Sequence, residues 1–133
     1  MKYLLDVNIL VAWGWADHGD HERVTKWIES RITTRGDKLL TSAIPHIGFV
    51  RVSAQRSGGQ VTPEVSGKVL AGLLGVLGNK HDFLPDDQEG TAWPSWCQGA
   101  SRTTDAHLLA LATAHGAQLA TLDSGIPGAF LLP

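Results

Sequence analysis

Cysteine is almost absent from the sequence, which contains only Cys97 among its 133 residues. One cysteine cannot form a disulfide within the chain, so small domains that are held together by disulfides are excluded as a class. The fold must therefore rest on a hydrophobic core. Such cysteine usage agrees with a reducing compartment, and we expect the protein to be cytoplasmic.

Long hydrophobic runs are also missing. No stretch approaches the roughly 20 consecutive apolar residues that span a bilayer. The apolar segment from Tyr3 to Trp15 is interrupted by Asp6 and Asn8 and has no small-residue cleavage site, so we do not expect a signal peptide. The sequence therefore predicts no membrane association.

The sequence also has no excess of positive charge, since its formal net charge is −2. The whole molecule cannot attract a polyanion, so any contact with nucleic acid must be local. One candidate surface lies between residues 51 and 80, where a single acid, Glu64, opposes four cations: Arg51, Arg56, Lys68 and Lys80. A solvated helical face would explain each of these residues equally well.

Short apolar segments alternate along the chain with longer segments of helical periodicity. The apolar segments predict strands at residues 2–5, 38–41, 81–84 and 118–122. This alternation indicates an α/β fold, in which a mostly parallel sheet is covered by helices on both faces as a three-layer α/β/α sandwich. The length leaves room for a single domain, residues 1–133.

Two of the predicted helices carry specific expectations. Thr104 can cap a helix that runs from Asp105 to His115 and ends at Gly116. Another helix should begin at Thr62 and Pro63 and bury one apolar side, made of Val65, Val69, Leu70, Leu73, Leu74 and Leu77.

Three aspartates stand at special positions in this pattern. Asp6 and Asp123 follow predicted strands, and Asp105 opens a predicted helix. A turn or a helix dipole would explain each one alone. Because a parallel sheet gathers the carboxyl ends of its strands, we expect the three to share a pocket. Clustered carboxylates repel one another, and a divalent cation relieves that repulsion. Such a cation also acidifies water and stabilises phosphate charge, which predicts phosphodiester hydrolysis.

Four segments together resemble the motifs of a known family, and they extend over nearly the whole chain. They are Leu4-Leu5-Asp6-Val7-Asn8-Ile9-Leu10, Gly48-Phe49-Val50-Arg51-Val52, Thr104-Asp105-Ala106-His107-Leu108-Leu109-Ala110-Leu111-Ala112 and Thr121-Leu122-Asp123. The sequence resembles PIN-domain ribonucleases, and most closely the VapC toxins of bacterial toxin–antitoxin pairs.

This resemblance implies a PIN-like sandwich and an endoribonuclease that depends on Mg²⁺ or Mn²⁺. By position, Asp6, Asp105 and Asp123 match the metal-binding acids of the family, and Asn8 matches the polar neighbour of the first acid. The resemblance also implies an RNA substrate, a homodimer and a cognate antitoxin protein that inserts a peptide near the active site.

One position departs from the family pattern. A glutamate is expected shortly before the Gly-Phe-Val-Arg stretch, but His46 stands there, and no acid occurs between Lys38 and Pro63. We predict that His46 takes part in catalysis as a neutral metal ligand or proton carrier, so that the site favours Mn²⁺. The alternative is a catalytically weakened PIN-like module that binds RNA or protein. We interpret His18 and His21 as ordinary polar residues.

Overall fold

A computed structural model describes all 133 residues. Five strands form one sheet in the order β3–β2–β1–β4–β5, and every pairing is parallel. The strands are β1 (Lys2–Leu5), β2 (Lys38–Thr41), β3 (His81–Phe83), β4 (Gln118–Thr121) and β5 (Phe130–Leu131). The helices are α1 (Val7–Gly14), α2 (His21–Ile32), α3 (Ala43–Arg56), α4 (Pro63–Leu77) and α5 (Ala100–Ala114). The predicted α/β sandwich with a parallel sheet is confirmed.

The sheet separates two hydrophobic clusters. Successive side chains of a strand point to opposite faces, and β1 shows this alternation clearly. Tyr3 and Leu5 belong to the larger cluster with α1, α2 and Phe49 of α3, whereas Leu4 belongs to the smaller cluster with Leu108 of α5. Because both faces are covered, β1 is buried on both sides and reads in the sequence as a continuous apolar run.

The helix α4 buries a narrower side than its sequence predicts. Leu70 and Leu77 are buried as expected, but Val65 and Val69 remain 50% and 44% exposed. The expectation that these two valines are buried is therefore wrong. The physical reason is that α4 packs mainly against α3, so that only part of its wide apolar surface finds a partner within the chain. No helix is both long enough and apolar enough to cross a membrane.

The glycine of the Gly-Phe-Val-Arg stretch allows α3 to lie directly against α1. A Cβ atom built on Gly48 would come 2.7 and 2.8 Å from the two methyl groups of Val7. Val7 follows Asp6 immediately and has a stiff, β-branched side chain that cannot easily move aside. Gly48 therefore fixes how closely α3 approaches the beginning of α1.

We expect Gly48→Ala to destabilise the protein by about 1–3 kcal/mol, because the added methyl group overpacks the helix contact. Gly72→Ala is the matched control, since Gly72 also lies inside a helix but has nothing within 4 Å of its Cβ position. That change should instead stabilise the protein by up to about 1 kcal/mol, through helix propensity. Urea unfolding measures both values, and equal effects of the two substitutions would contradict this packing.

Candidate active site

Asp6 stands at the point where β1 ends and α1 begins. It is the N-cap of α1, and its Oδ1 accepts a hydrogen bond from the Val7 N–H at 2.7 Å. Its Oδ2 accepts a hydrogen bond from the Thr121 hydroxyl at 2.7 Å. The residue is only 4% exposed. Burial raises the pKa of Asp6, the two hydrogen bonds oppose this, and the carboxylates of Asp105 and Asp123 raise it further.

The hydroxyl of Thr121 connects the residues around Asp6. Thr121 is fully buried at the end of β4, and besides donating to Asp6 its Oγ1 accepts hydrogen bonds from the Asn8 side-chain amide and the Asp123 N–H, both at 3.1 Å. Asn8 also accepts a hydrogen bond from the Leu122 N–H at 3.2 Å. One buried hydroxyl thus holds Asp6, Asn8 and the backbone of Asp123 together.

Asp105 and Asp123 meet through an arginine. The Nη1 atom of Arg102 lies 3.4 Å from Oδ2 of Asp105 and 3.5 Å from Oδ2 of Asp123. Burial raises the pKa of Asp105, the carboxylate of Asp123 raises it further, and Arg102 lowers it. Asp105 and Asp123 therefore meet across a cation at the carboxyl edge of the sheet, and both carboxylates are near enough to Asp6 to raise its pKa. That the three share one metal-binding pocket stays a prediction.

The helix that carries Asp105 begins earlier than predicted. Gly99 is the N-cap and α5 starts at Ala100, so the expectation that Thr104 caps the helix is wrong. Asp105 lies in the second turn instead of the first. The additional turn places Arg102 three residues before Asp105, on the same side of the helix.

Sequence reasoning missed Arg102 and Thr121 as residues of this site. The i, i+3 spacing of Arg102 and Asp105 would have indicated their contact, had the start of the helix been placed correctly. The contact between Arg102 and Asp123 has no local signal in the sequence, because the two residues belong to different elements. Thr121 has a weak signal only, as a polar residue that ends an apolar strand.

The three aspartates offer the oxygen ligands that Mg²⁺ and Mn²⁺ prefer. Two of them, Asp6 and Asp105, have a raised pKa to which neighbouring carboxylates contribute, as expected for acids that a cation would stabilise. No three side chains of histidine, cysteine, aspartate or glutamate are already closed into a metal-binding group. The donor chemistry thus fits a hard divalent cation, while two of the acids, Asp105 and Asp123, are arranged around a guanidinium group.

His46 lies in a separate cluster of side chains. Its Nε2 is 2.7 Å from the Thr41 Oγ1, and the same oxygen is 2.7 Å from Nε2 of His81. Burial lowers the pKa of both imidazoles. The ring of His46 also packs against Phe83, with 5.4 Å between centroids. His46 makes no hydrogen bond or ion pair with the three aspartates, so its part in catalysis stays a prediction.

A cleft of about 390 Å³ opens beside the acids. It is lined by Asp6, Asn8 and Asp105 and also by His18 and Arg56. Arg56 is held there by an ion pair with Asp17 at 3.1 Å and by stacking on the ring of Trp15. The cleft therefore joins the carboxylates to a fixed guanidinium group, whose charge Asp17 partly offsets.

Only part of the predicted cationic surface lies near this cleft. Arg51 lines an adjoining pocket, but Lys68 pairs with Glu64 on α4. The ammonium group of Lys80 donates hydrogen bonds to the carbonyls of Thr34 and Asp37, in the loop that leads into β2. That loop precedes its strand, so it lies at the edge of the sheet opposite to the acids.

We expect Thr121→Val to destabilise the protein by about 1–3 kcal/mol, because the buried carboxylate of Asp6 loses a donor. Valine has nearly the same shape, so packing is preserved. Thr121→Ser keeps the hydroxyl and loses only a methyl group, which should cost about 0.5–1.5 kcal/mol. Urea unfolding of both variants distinguishes the two contributions. A serine variant that loses more stability than the valine variant would contradict the role assigned to the hydroxyl.

The raised pKa of Asp105 predicts how stability depends on pH in the presence of EDTA. Its pKa in the folded protein is above the ordinary value of 3.8, so folding favours the protonated acid. This stabilisation is complete below about pH 4 and is lost as the pH rises through the folded-state pKa.

Replacing Asp105 with asparagine removes that loss. Relative to wild type, the free energy of unfolding of Asp105→Asn should therefore rise between about pH 4 and about pH 7. Urea unfolding of both proteins at the two pH values gives this difference directly. A difference that stays constant, or that falls with pH, would contradict the electrostatic description of the site.

The sequence assigns this chain to a known family. Residues 3–129 match the family model described as PIN domain. The chain belongs to the PIN-domain family. This confirms the family resemblance that the sequence motifs indicated.

Individual relatives are similar over most of their length. The chain is 36% identical to Ribonuclease VapC39 of Mycobacterium tuberculosis, over 95% of this chain and 91% of the relative. It is 37% identical to Ribonuclease VapC38 of the same species, over 92% and 86%. A chain in the crystal structure of VapBC2 from Rickettsia felis bound to a DNA fragment from their promoter has the same fold. Its TM-score is 0.65 at 16% identity, and the match covers 98% of this chain and 97% of that one.

Proposed function

We propose that this protein is an endoribonuclease that depends on Mg²⁺ or Mn²⁺ and acts as the toxin of a toxin–antitoxin pair. The observation that carries the proposal lies at the carboxyl edge of the sheet, where Asp105 and Asp123 face one guanidinium and both raise the pKa of Asp6. The relatives named Ribonuclease VapC39 and VapC38 support RNA as the substrate.

The residues that would hold the metal ion are Asp6, Asp105 and Asp123. A divalent cation, when bound, supplies an acidified water and offsets negative charge on the phosphate. Asn8 and Thr121 orient the Asp6 carboxylate and the backbone of Asp123 through their hydrogen bonds. This pre-organisation matters because a displacement of catalytic groups by about 1 Å costs orders of magnitude in rate.

The reaction that we propose is hydrolysis of the RNA backbone. The oxygen of water forms a bond to phosphorus, and the bond from phosphorus to the 3′-oxygen breaks. A proton from the water ends on that 3′-oxygen, so the products carry a 5′-phosphate and a 3′-hydroxyl group. Along the adjoining cleft, Arg56 offers a fixed positive charge for a neighbouring phosphate, as a protein of negative net charge requires.

We propose a cognate antitoxin protein, a homodimer and a cytoplasmic location. Support for a protein partner comes from apolar side chains that α3 and α4 leave uncovered. Among them Ile47 is 58% exposed, Val65 50% and Val76 73%. These apolar side chains on two neighbouring helices offer a surface that a protein partner would cover. The free thiol of Cys97 agrees with the proposed compartment.

Cleavage of RNA by the purified protein tests the proposed activity. We expect cleavage with Mg²⁺ or Mn²⁺, none with EDTA, and a loss of at least about 100-fold in Asp6→Asn. Glu22→Gln is the control, because Glu22 is an exposed acid on α2 that pairs only with Lys26. Cleavage that survives EDTA, or an active Asp6→Asn protein, would contradict the mechanism.

A second candidate function is a binding module that holds RNA or protein without cleavage. The observation that favours it is the absence of a fourth acid, since His46 is engaged with Thr41 and His81 instead of the aspartates. The same assay separates the two functions. RNA that is bound but not cut in the presence of Mn²⁺ would establish the binding module.

A further inference from the structure

Arg102 occupies an unusual place for an arginine in a proposed metal site. Its Nη1 atom contacts Oδ2 of Asp105 at 3.4 Å and Oδ2 of Asp123 at 3.5 Å. The two carboxylate oxygens therefore face the same nitrogen from two different elements, α5 and the segment after β4. Any cation that binds both oxygens must approach the position that Arg102 now holds.

The surrounding chain leaves room for this guanidinium group. A Cβ atom on Gly125 would lie 2.5 Å from Nη2 of Arg102 and 3.2 Å from Nη1. The N–H of Gly125 also donates a hydrogen bond to Oδ1 of Asp123 at 2.8 Å. Glycine at position 125 thus allows Arg102 to reach the acids while the backbone fixes one of them.

The contacts of Arg102 with the two acids are long and partly exposed to solvent, so a metal ion can replace them. Strong pairs of a guanidinium and a carboxylate have nitrogen–oxygen distances of about 2.7–2.9 Å, shorter than both distances here. The side chain of Arg102 is 34% exposed and that of Asp123 is 42% exposed, so water screens the attraction. Arg102 can therefore leave toward solvent without breaking any other hydrogen bond or ion pair of its guanidinium group.

We propose that Arg102 is a built-in counter-ion that occupies the acid cluster until a divalent cation displaces it, and that it thereby sets the affinity for the metal. This inference rests on the proposed metal-dependent function. A divalent cation bound to the same carboxylate oxygens would repel the guanidinium group at such distances, so the two compete for the acids. Arg102 protects the folded protein from the repulsion of its own acids when no metal is bound, and it competes with the metal when one is present.

Isothermal titration calorimetry with Mn²⁺ alone tests the inference on the full chain. We expect Arg102→Gln to bind Mn²⁺ about fivefold more tightly than wild type, the factor that a partly exposed ion pair is worth. Arg35→Gln is the matched control. It removes the same charge from an exposed loop at the other edge of the sheet, so its affinity for Mn²⁺ should remain that of wild type.

Two further variants separate the charge of Arg102 from the length of its side chain. Arg102→Met removes the charge but keeps a long side chain, so it should also tighten Mn²⁺ binding, whereas Gly125→Ala would crowd Asp123 as well as Arg102 and is therefore unsuitable. Arg102→Lys keeps a positive charge and should bind Mn²⁺ with an affinity close to that of wild type. In EDTA, the melting temperature of Arg102→Gln should fall further than that of Arg35→Gln, because two acids lose their counter-ion.

Each other outcome has a definite meaning. Equal Mn²⁺ affinities of wild type and Arg102→Gln would overturn this inference and leave the proposed ribonuclease intact. The same holds if Arg102→Gln raises only the KM for RNA, since Arg102 would then be a substrate ligand. If neither protein binds Mn²⁺, the metal-dependent function itself fails.

Discussion

The pairing of β1 with β4 is the constraint on which the rest of the site depends. Leu5 lies opposite Ala120, and the N–H of Asp6 continues the ladder by donating to the Ala120 carbonyl at 3.0 Å. This places the Asp6 carboxylate beside Thr121, a residue from the other end of the chain. A shift of one residue in register would turn Leu4 and Leu5 to the wrong faces and separate Asp6 from Thr121. The contacts that build the core therefore also build the site.

Burial of Asp6 shows how the fold tolerates an acid at the end of a central strand. Its two oxygens each have a hydrogen-bond donor, the Val7 N–H and the Thr121 hydroxyl, yet burial still raises its pKa. These donors satisfy the carboxylate locally without supplying a positive charge. Asp105 and Asp123 have the guanidinium of Arg102, whereas Asp6 has none. The deepest of the three acids thus has the least compensation, and it is the one a cation would stabilise most.

Most of the fold, and the identity of the three acids, follow from local signals in the sequence. Short apolar runs and helical periodicity are properties of neighbouring residues, so they predict strands and helices directly. Because parallel strands end at one edge of the sheet, acids that follow different strands are then expected at the same edge. The start of α5 could not be predicted because Thr104 is a better N-cap than Gly99 by local preference alone. The two-residue strand β5 is too short to show periodicity. The partners of His46 lie on two different strands, so only the tertiary structure reveals them.

The site has three carboxylates and one guanidinium group, that of Arg102, and no fourth acid. No aspartate or glutamate occurs between Lys38 and Pro63, and burial lowers the pKa of the His46 that stands in the expected position. Three carboxylates against one guanidinium leave two negative charges, which is a smaller imbalance than four carboxylates would create. Arg102 offsets part of the repulsion between Asp105 and Asp123, and a fourth carboxylate nearby would add repulsion that this one guanidinium does not offset. Arg102 therefore balances the two outer acids of the site, and Asp6 is left to its hydrogen-bond donors alone.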